Sequence, residues 1–240
     1  MKKTWKKHLA ALLLAAPIGF ASASGGGHYE HVELNHGDQV SLQRGAQIFV
    51  NYCLSCHSAS AMRYNRLRDI GLSEDEIKKN LMFTTDKVGN VMQAHMSPAD
   101  AKKWFGAAPP DLTLIARSKG TDYLYAYLRG FYQDPTRPTG WNNVVFDKVG
   151  MPHALWEQQG IQAVKLDDKG MPVMKDDGHG GHVPDLYWVS TGSMTRMTKS
   201  GNVVTTEYDN YARDLVNFLS YMGEPAQLER KRIGYGVLIF

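Results

Sequence analysis

Five residues, Cys53-Leu54-Ser55-Cys56-His57, contain both cysteines of this 240-residue chain. No thiol is left over for a disulfide, and the spacing fits covalent attachment of a c-type haem. Two thiols three residues apart can each add to a vinyl group of the porphyrin. The histidine that follows directly is then held beneath the iron as its axial ligand. Other uses of the pattern fit less well. A thioredoxin-like pair requires a βαβ setting, whereas the flanks here have helical periodicity. A structural zinc site needs four ligands, usually as two separated pairs, and no second pair exists. Two buried structural cysteines that merely adjoin a histidine remain conceivable, but the signature is specific once export is shown.

Export is written at the N-terminus. Lys2, Lys3, Lys6 and Lys7 form a basic region, Leu9 to Phe20 is apolar, and Ala21-Ser22-Ala23 is a small-residue cleavage site. The run is shorter than the ~20 apolar residues a spanning helix needs. Residues 1–23 therefore read as a bacterial signal peptide, with Ser24 opening the mature chain; an uncleaved anchor is the alternative. Either way the body lies outside the cytoplasmic membrane. The chain has 27 basic and 24 acidic residues. Removing the four leader lysines leaves 23 against 24, a net charge of −1. A near-neutral exported protein is a poor nucleic-acid binder, and it could dock a basic partner through local acidic patches.

The remainder, 24–228, is long enough for one well-buried domain. Helical periodicity marks Ser41–Tyr52, which carries Leu42, Gly45, Ile48 and Phe49 and delivers the chain into Cys53. Gly45 and Phe49 form a notch and a knob, for which Leu215, Phe218 and Leu219 offer a filling. Ser73–Met82 opens with a capping box, Ser73 and Glu76. Ser97-Pro98 starts a helix that ends near Gly106. Asp122–Tyr132 and Tyr208–Met222 carry apolar stripes. Residues 157–203 contain Asp-Gly-Lys turn clusters around short apolar pieces, and read as an insertion able to form a small hairpin. His179 and His182 in its Gly-rich turn are assigned no metal site. A basic cluster, Arg230-Lys231-Arg232, precedes a mostly apolar end. Residues 229–240 are expected to begin a C-terminal membrane anchor, a short packed tail being the alternative.

The second axial ligand decides what a haem can do. A methionine or histidine there suits electron transfer; an open side suits gas or peroxide chemistry. Ten methionines besides Met1 are available, and the usual role of a methionine is core filling. Met151 is the first candidate, because Pro152 biases it towards an extended backbone that can hold a thioether over a haem face. Met194 and Met197 are runners-up. Pro109-Pro110 is a rigid extended segment able to present a carbonyl to the free ring N–H of His57; a plain interhelical turn is equally open. Arg117 and Lys119 lie just beyond and could pair with haem propionates, although surface basic residues usually do not.

An ordered set of stretches resembles the cytochrome c1 family, the haem-bearing subunits of quinol–cytochrome c reductase (bc1) complexes. Arg44–Phe49 leads into Cys53–His57, and Met62–Leu67 follows. Ala108-Pro109-Pro110-Asp111-Leu112-Thr113 precedes Arg117 and the Asp122-Tyr123 helix. Val149-Gly150-Met151-Pro152 occupies the family's axial-methionine position. Leu215–Pro225 and Glu229–Arg232 match the final helix and the entry to the anchor. The similarity runs from about Ser41 to Phe240, with 157–203 matching loosely and Lys119 standing where many relatives carry Arg.

The resemblance implies a mainly α fold: a c-type cytochrome haem domain with a loop/β insertion and a C-terminal membrane anchor of which only the start is present. It implies one covalently bound haem c on Cys53 and Cys56, ligated by His57 and Met151, with Pro109 and Pro110 supporting His57. It also implies a role as electron-transfer subunit of a quinol:cytochrome c oxidoreductase that itself binds no quinol. The expected partners are a cytochrome b subunit, a Rieske iron–sulfur protein as donor and a soluble cytochrome c as acceptor. The expected setting is a dimeric complex in the bacterial inner membrane, haem domain facing the periplasm. An independent periplasmic carrier, and a haem enzyme or gas sensor with an open sixth position, are the alternatives.

Overall fold

The computed structural model describes residues 29–178 and 180–240. The expected leader and Ser24 lie outside the described residues, as does His179. The first helix, α1 (Gln39–Ile48), starts where the Asp38 side chain accepts the Ser41 amide at 3.0 Å. It loosens into a five-residue π-helical turn, Phe49–Cys53, closed by Leu54 N–H donating to the Phe49 carbonyl at 2.9 Å. The periodicity predicts continuous helix to Tyr52; the wider turn instead rotates Cys53 out of α-helical phase at the point where the motif begins.

A short strand, β1 (Ala59–Arg63), pairs antiparallel with β2 (Val91–Met92), flanking a 3₁₀ segment, Tyr64–Ile70. Between them α2 (Glu74–Asn80) has the expected capping box, with Ser73 and Glu76 satisfying each other's backbone N–H. Next, α3 (Pro98–Phe105) is capped by Ser97 and stopped by Gly106, whose φ of 81° favours glycine. A five-residue helix, α4 (Ile115–Lys119), leads into α5 (Thr121–Arg129).

Here the structure departs from the periodicity, which carries α5 on to Tyr132. Phe131 and Tyr132 lie instead in β3 (Phe131–Gln133), antiparallel to β4 (Trp141–Asn143). Gly130 is the reason: a side chain there would come within 2.7 Å of Val144 Cγ2. The Tyr127 carbonyl near the helix end is satisfied by Gly130 N–H and the Asn143 side-chain amide, 3.2 and 2.8 Å away.

The segment 157–203 is more than a hairpin. After α6 (Trp156–Gln159) come β5 (Gly160–Val164), β6 (Met174–Asp176), β7 (His182–Pro184) and β8 (Leu186–Thr191). β5 pairs with β8 and, in parallel, with β3, giving a four-stranded sheet ordered β4-β3-β5-β8. The segment is thus hydrogen-bonded to the strand that leaves α5. β6 and β7 form a separate two-stranded ribbon, and β9 (Arg196–Met197) pairs with β10 (Val203–Val204).

The long helix α7 (Thr206–Gly223) crosses α1 and packs on α4 and α5. Gly45 is the crossing point: a Cβ there would run into the Asp214 carbonyl and sit 2.6 Å from Phe218 Cβ. Leu42, Phe49, Leu215 and Phe218 fill this contact, all almost fully buried. A polar seam runs beside it, in which Asp214 accepts from Ser41 Oγ at 2.7 Å and pairs with Arg44. The last helix, α8 (Gln227–Ile239), has no buried residue. No helix among the described residues is long and apolar enough to cross a membrane.

Candidate functional site

A cavity of about 390 Å³ opens between the Cys53–His57 turn, the proline segment, α5, α7 and the loop before α6. Its lining is largely apolar, and it gathers Cys53, Cys56, His57, Pro109, Pro110 and Met151.

The first wall follows from the π turn. Cys53 ends it, and the Cys53 carbonyl then accepts N–H groups from Cys56 and His57 at 3.1 and 2.8 Å. This tight turn turns both cysteines and the imidazole into the cavity. Both thiols are free. Burial, reinforced by neighbouring Cys56, pushes the Cys53 thiol up to about 12. A redox pair shows the opposite shift, because its nucleophilic thiol is held as thiolate.

His57 donates from Nδ1 to the Pro110 carbonyl at 2.8 Å. A carbonyl can only accept, so Nδ1 carries the proton and the lone pair sits on Nε2. Burial, the largest influence, lowers the imidazole below its ordinary range despite the Pro110 bond, which favours the charged form. A neutral ring with one fixed tautomer is what a metal requires.

The proline segment is itself stapled to the chain after His57. Leu112 N–H donates to the Ser58 carbonyl at 2.8 Å. The Asp111 carboxylate accepts from the Ser60 and Thr113 amides at 2.7 and 2.8 Å. Burial alone would push the Asp111 carboxyl up, but these hydrogen bonds outweigh it and hold the group below its usual range. The segment that reads equally as a plain turn is thus a braced strut.

Met151 also lines the cavity. Its loop is anchored by buried Asn142, whose side-chain oxygen accepts Lys148 N–H at 2.8 Å. Gly150 lets the loop press on the end of α3, since a Cβ there would lie 2.5 Å from the Phe105 carbonyl oxygen. Just beyond, His153 stacks on Phe131 at 4.7 Å and 3° and meets the edge of Trp141 at 5.2 Å. Burial pushes its imidazole down to about 4, so it packs as a neutral ring. The sides of the cavity are closed by Tyr123, Leu124, Tyr127 and Leu128 from α5 and by Leu215 and Leu219 from α7.

The other sequence candidates fall elsewhere. Met194 packs on the core, and Met197 is exposed on β9; neither lines the cavity. Arg117 does not line it either, and its stem packs against Gly223. Lys119 does line it, with Nζ 5.7 Å from the centre of the Tyr123 ring. Sequence reading overlooked Tyr127, whose hydroxyl donates to Met151 Sδ at 3.4 Å. Two phenols at i and i+4 on an otherwise apolar stripe, Tyr123 and Tyr127, were the available signal.

The donor set fits a covalently attached haem. Two free thiols, a neutral imidazole whose Nδ1 is bonded to the Pro110 carbonyl, and a thioether share the lining of one largely apolar cavity. A porphyrin is large and apolar with charged carboxylates on one edge, and among the described residues Lys119 is the one lysine or arginine on the lining. Among the described residues no group of three or more His, Cys, Asp or Glu is placed to hold a metal ion.

The profile of the Cytochrome C1 family matches residues 29–240. Cytochrome c1 of Allochromatium vinosum is 45% identical over 233 residues, 97% of this chain and 90% of that protein. The ammonia monooxygenase gamma subunit of Nitrosomonas europaea is 42% identical over 98% of this chain and 90% of its own length. Cytochrome c1 of Rhodospirillum rubrum is 29% identical over 97% and 89%.

Proposed function

The chain belongs to the cytochrome c1 family, a haem protein of electron transport, and from that premise we propose how its own residues do the work. Cys53 and Cys56 would tether one haem c covalently, and His57 and Met151 would be the side chains that hold its iron. When bound, the haem supplies a one-electron Fe(III)/Fe(II) couple. The Pro110 carbonyl holds the His57 ring at one angle and strengthens its donation. The Met151 loop, pinned by Asn142 and by His153, would present the thioether to the iron. Leu124, Leu128, Leu215 and Leu219 exclude water, which favours the less charged ferrous centre. Lys119 and Tyr123 face the cavity together and suit the propionate edge. Nothing in this arrangement makes or breaks substrate bonds.

The subunit serves a quinol:cytochrome c oxidoreductase beside a cytochrome b subunit. It takes electrons from a Rieske iron–sulfur protein and passes them to a soluble cytochrome c. The complex is dimeric and sits in the bacterial inner membrane with this domain on the periplasmic side. The exposed apolar end of α8, Val237 to Phe240, behind Arg230-Lys231-Arg232, supports its reading as the start of an anchor. At 1.5 Å per residue this 13-residue helix reaches about 20 Å, less than the ~30 Å hydrocarbon core.

One observation carries the reading: Met151 faces the cavity that also receives Cys53, Cys56 and His57. The test is Met151→Ala. It should abolish the weak red charge-transfer band of a ferric iron–thioether bond, lower the reduction potential and allow rapid carbon monoxide binding to the ferrous protein. An unchanged visible spectrum would refute the ligand assignment. Purification from membranes together with a b-type cytochrome and an iron–sulfur protein tests the assembly; recovery as a detergent-independent single protein would refute it.

A further inference from the structure

We propose that the Tyr127 hydroxyl tunes the iron–sulfur bond by donating a hydrogen bond to the Met151 thioether. The inference rests on Met151 being an axial ligand. The oxygen lies 3.4 Å from Sδ. A thioether has no proton to give, so the phenol is the donor.

Both partners are held. The Tyr127 carbonyl accepts the buried Asn143 amide at 2.8 Å. Its ring stacks on Tyr123 at 6.0 Å and 14° and meets Phe131 edge-on at 5.1 Å. On the other side Gly150 presses the Met151 loop onto the Phe105 carbonyl. Phe131 also stacks on His153, so one aromatic ring touches both the donor's side chain and the segment carrying the acceptor.

The consequence follows from where electron density is needed. A sulfur lone pair stabilises Fe(III) more when fully available to it. A donor placed on the same sulfur withdraws density, weakens the ferric bond more than the ferrous one, and raises the potential. Tyr127 is then a positioning and tuning residue that never touches the iron.

The experiment uses the haem-loaded, full-length protein with Tyr127→Phe, which keeps the ring and removes the donor. Three quantities are read: the midpoint potential, the iron–thioether charge-transfer band, and the affinity of the ferric protein for imidazole, which competes with the thioether. The potential should fall, the band should persist, and imidazole should bind roughly two- to tenfold more weakly, the range one net hydrogen bond spans. If Tyr127 only fills space, loosening the pocket weakens the iron–sulfur bond, and imidazole binds more tightly. That result, or an unchanged potential, overturns the proposal. Tyr127→fluorotyrosine, a stronger donor of similar size, should move potential and imidazole affinity upward; a shift in the same direction as Tyr127→Phe also overturns it. A wild-type protein without the charge-transfer band would sink the ligand reading itself. A normal band with no response to Tyr127→Phe would sink only this inference.

Discussion

Replacing Gly45 by alanine tests the central helix crossing. On helix propensity alone the change should stabilise α1 by ~1 kcal/mol. The crossing opposes it. The new methyl would stand 2.6 Å from Phe218 Cβ, about 0.8 Å short of the 3.4 Å at which ordinary contact begins, and closer still to the Asp214 carbonyl. The carbonyl belongs to α7 backbone and cannot swing aside, so the helix itself must retreat. That retreat separates Phe49 from Phe218, whose ring centres lie 5.8 Å apart, and stretches the 2.7 Å bond from Ser41 to Asp214. Overpacking of this kind costs ~1–3 kcal/mol, and weakening a hydrogen bond to a buried carboxylate adds up to ~1.5–3 kcal/mol. After the propensity gain the net loss should be about 2–4 kcal/mol, or a Tm drop on the order of 10 °C for a domain of this size. Thermal and urea unfolding followed by far-ultraviolet circular dichroism measure it. Gly89→Ala is the control, since an added methyl there meets nothing within 4 Å. Because α7 also carries Leu215 and Leu219 into the cavity, the variant should broaden the haem spectrum as well. A Gly45→Ala protein as stable as the wild type would show that the two helices do not meet as described.

Asp111→Ala removes the acceptor for the Ser60 and Thr113 amides and should cost ~1–2 kcal/mol. A urea midpoint unchanged from wild type would mean the strut is braced elsewhere. His36 is half-buried, with Nε2 3.1 Å from Ser220 Oγ and its ring edge-on to Tyr221. Burial, helped by Lys231, lowers its imidazole, although Glu224 acts the other way. A depressed histidine binds its proton less readily folded than unfolded. Its contribution is therefore present above the unfolded value near ~6.5 and is lost as pH falls from there through the folded value. The decline in stability between pH 7 and 5 should be shallower in His36→Gln, and an equal slope in both proteins would exclude this group.

What the sequence made legible was local or covalent. The capping residues Ser73, Glu76 and Ser97 mark their helices because caps act within one turn. The notch at Gly45 is visible because glycine on an apolar stripe means close approach. What stayed hidden depends on distant partners. Phe131 and Tyr132 continue the α5 stripe in period, and only pairing with Asn143 and Asn142 makes them strand. The sheet that ties 157–203 to the domain joins Gln133 to Ala163, a parallel pairing that no local pattern announces. The π turn at Phe49–Cys53 has no side-chain signature. Arg117 and Lys119, two residues apart on a short helix, point to different surroundings, and spacing alone could not say which one reaches the cavity.

The two residues proposed to grip the iron come from far apart in the chain, positions 57 and 151, 94 residues along. In a protein with no cystine, a metal held at both ends would close that long circuit and act as its cross-brace. Closing such a loop removes freedom chiefly from the unfolded chain. Ligation by the Met151 sulfur and folding would then be linked equilibria. Breaking the sulfur end should free the segment around Met151 first, while the α1–α7 crossing, which needs no iron, stays standing.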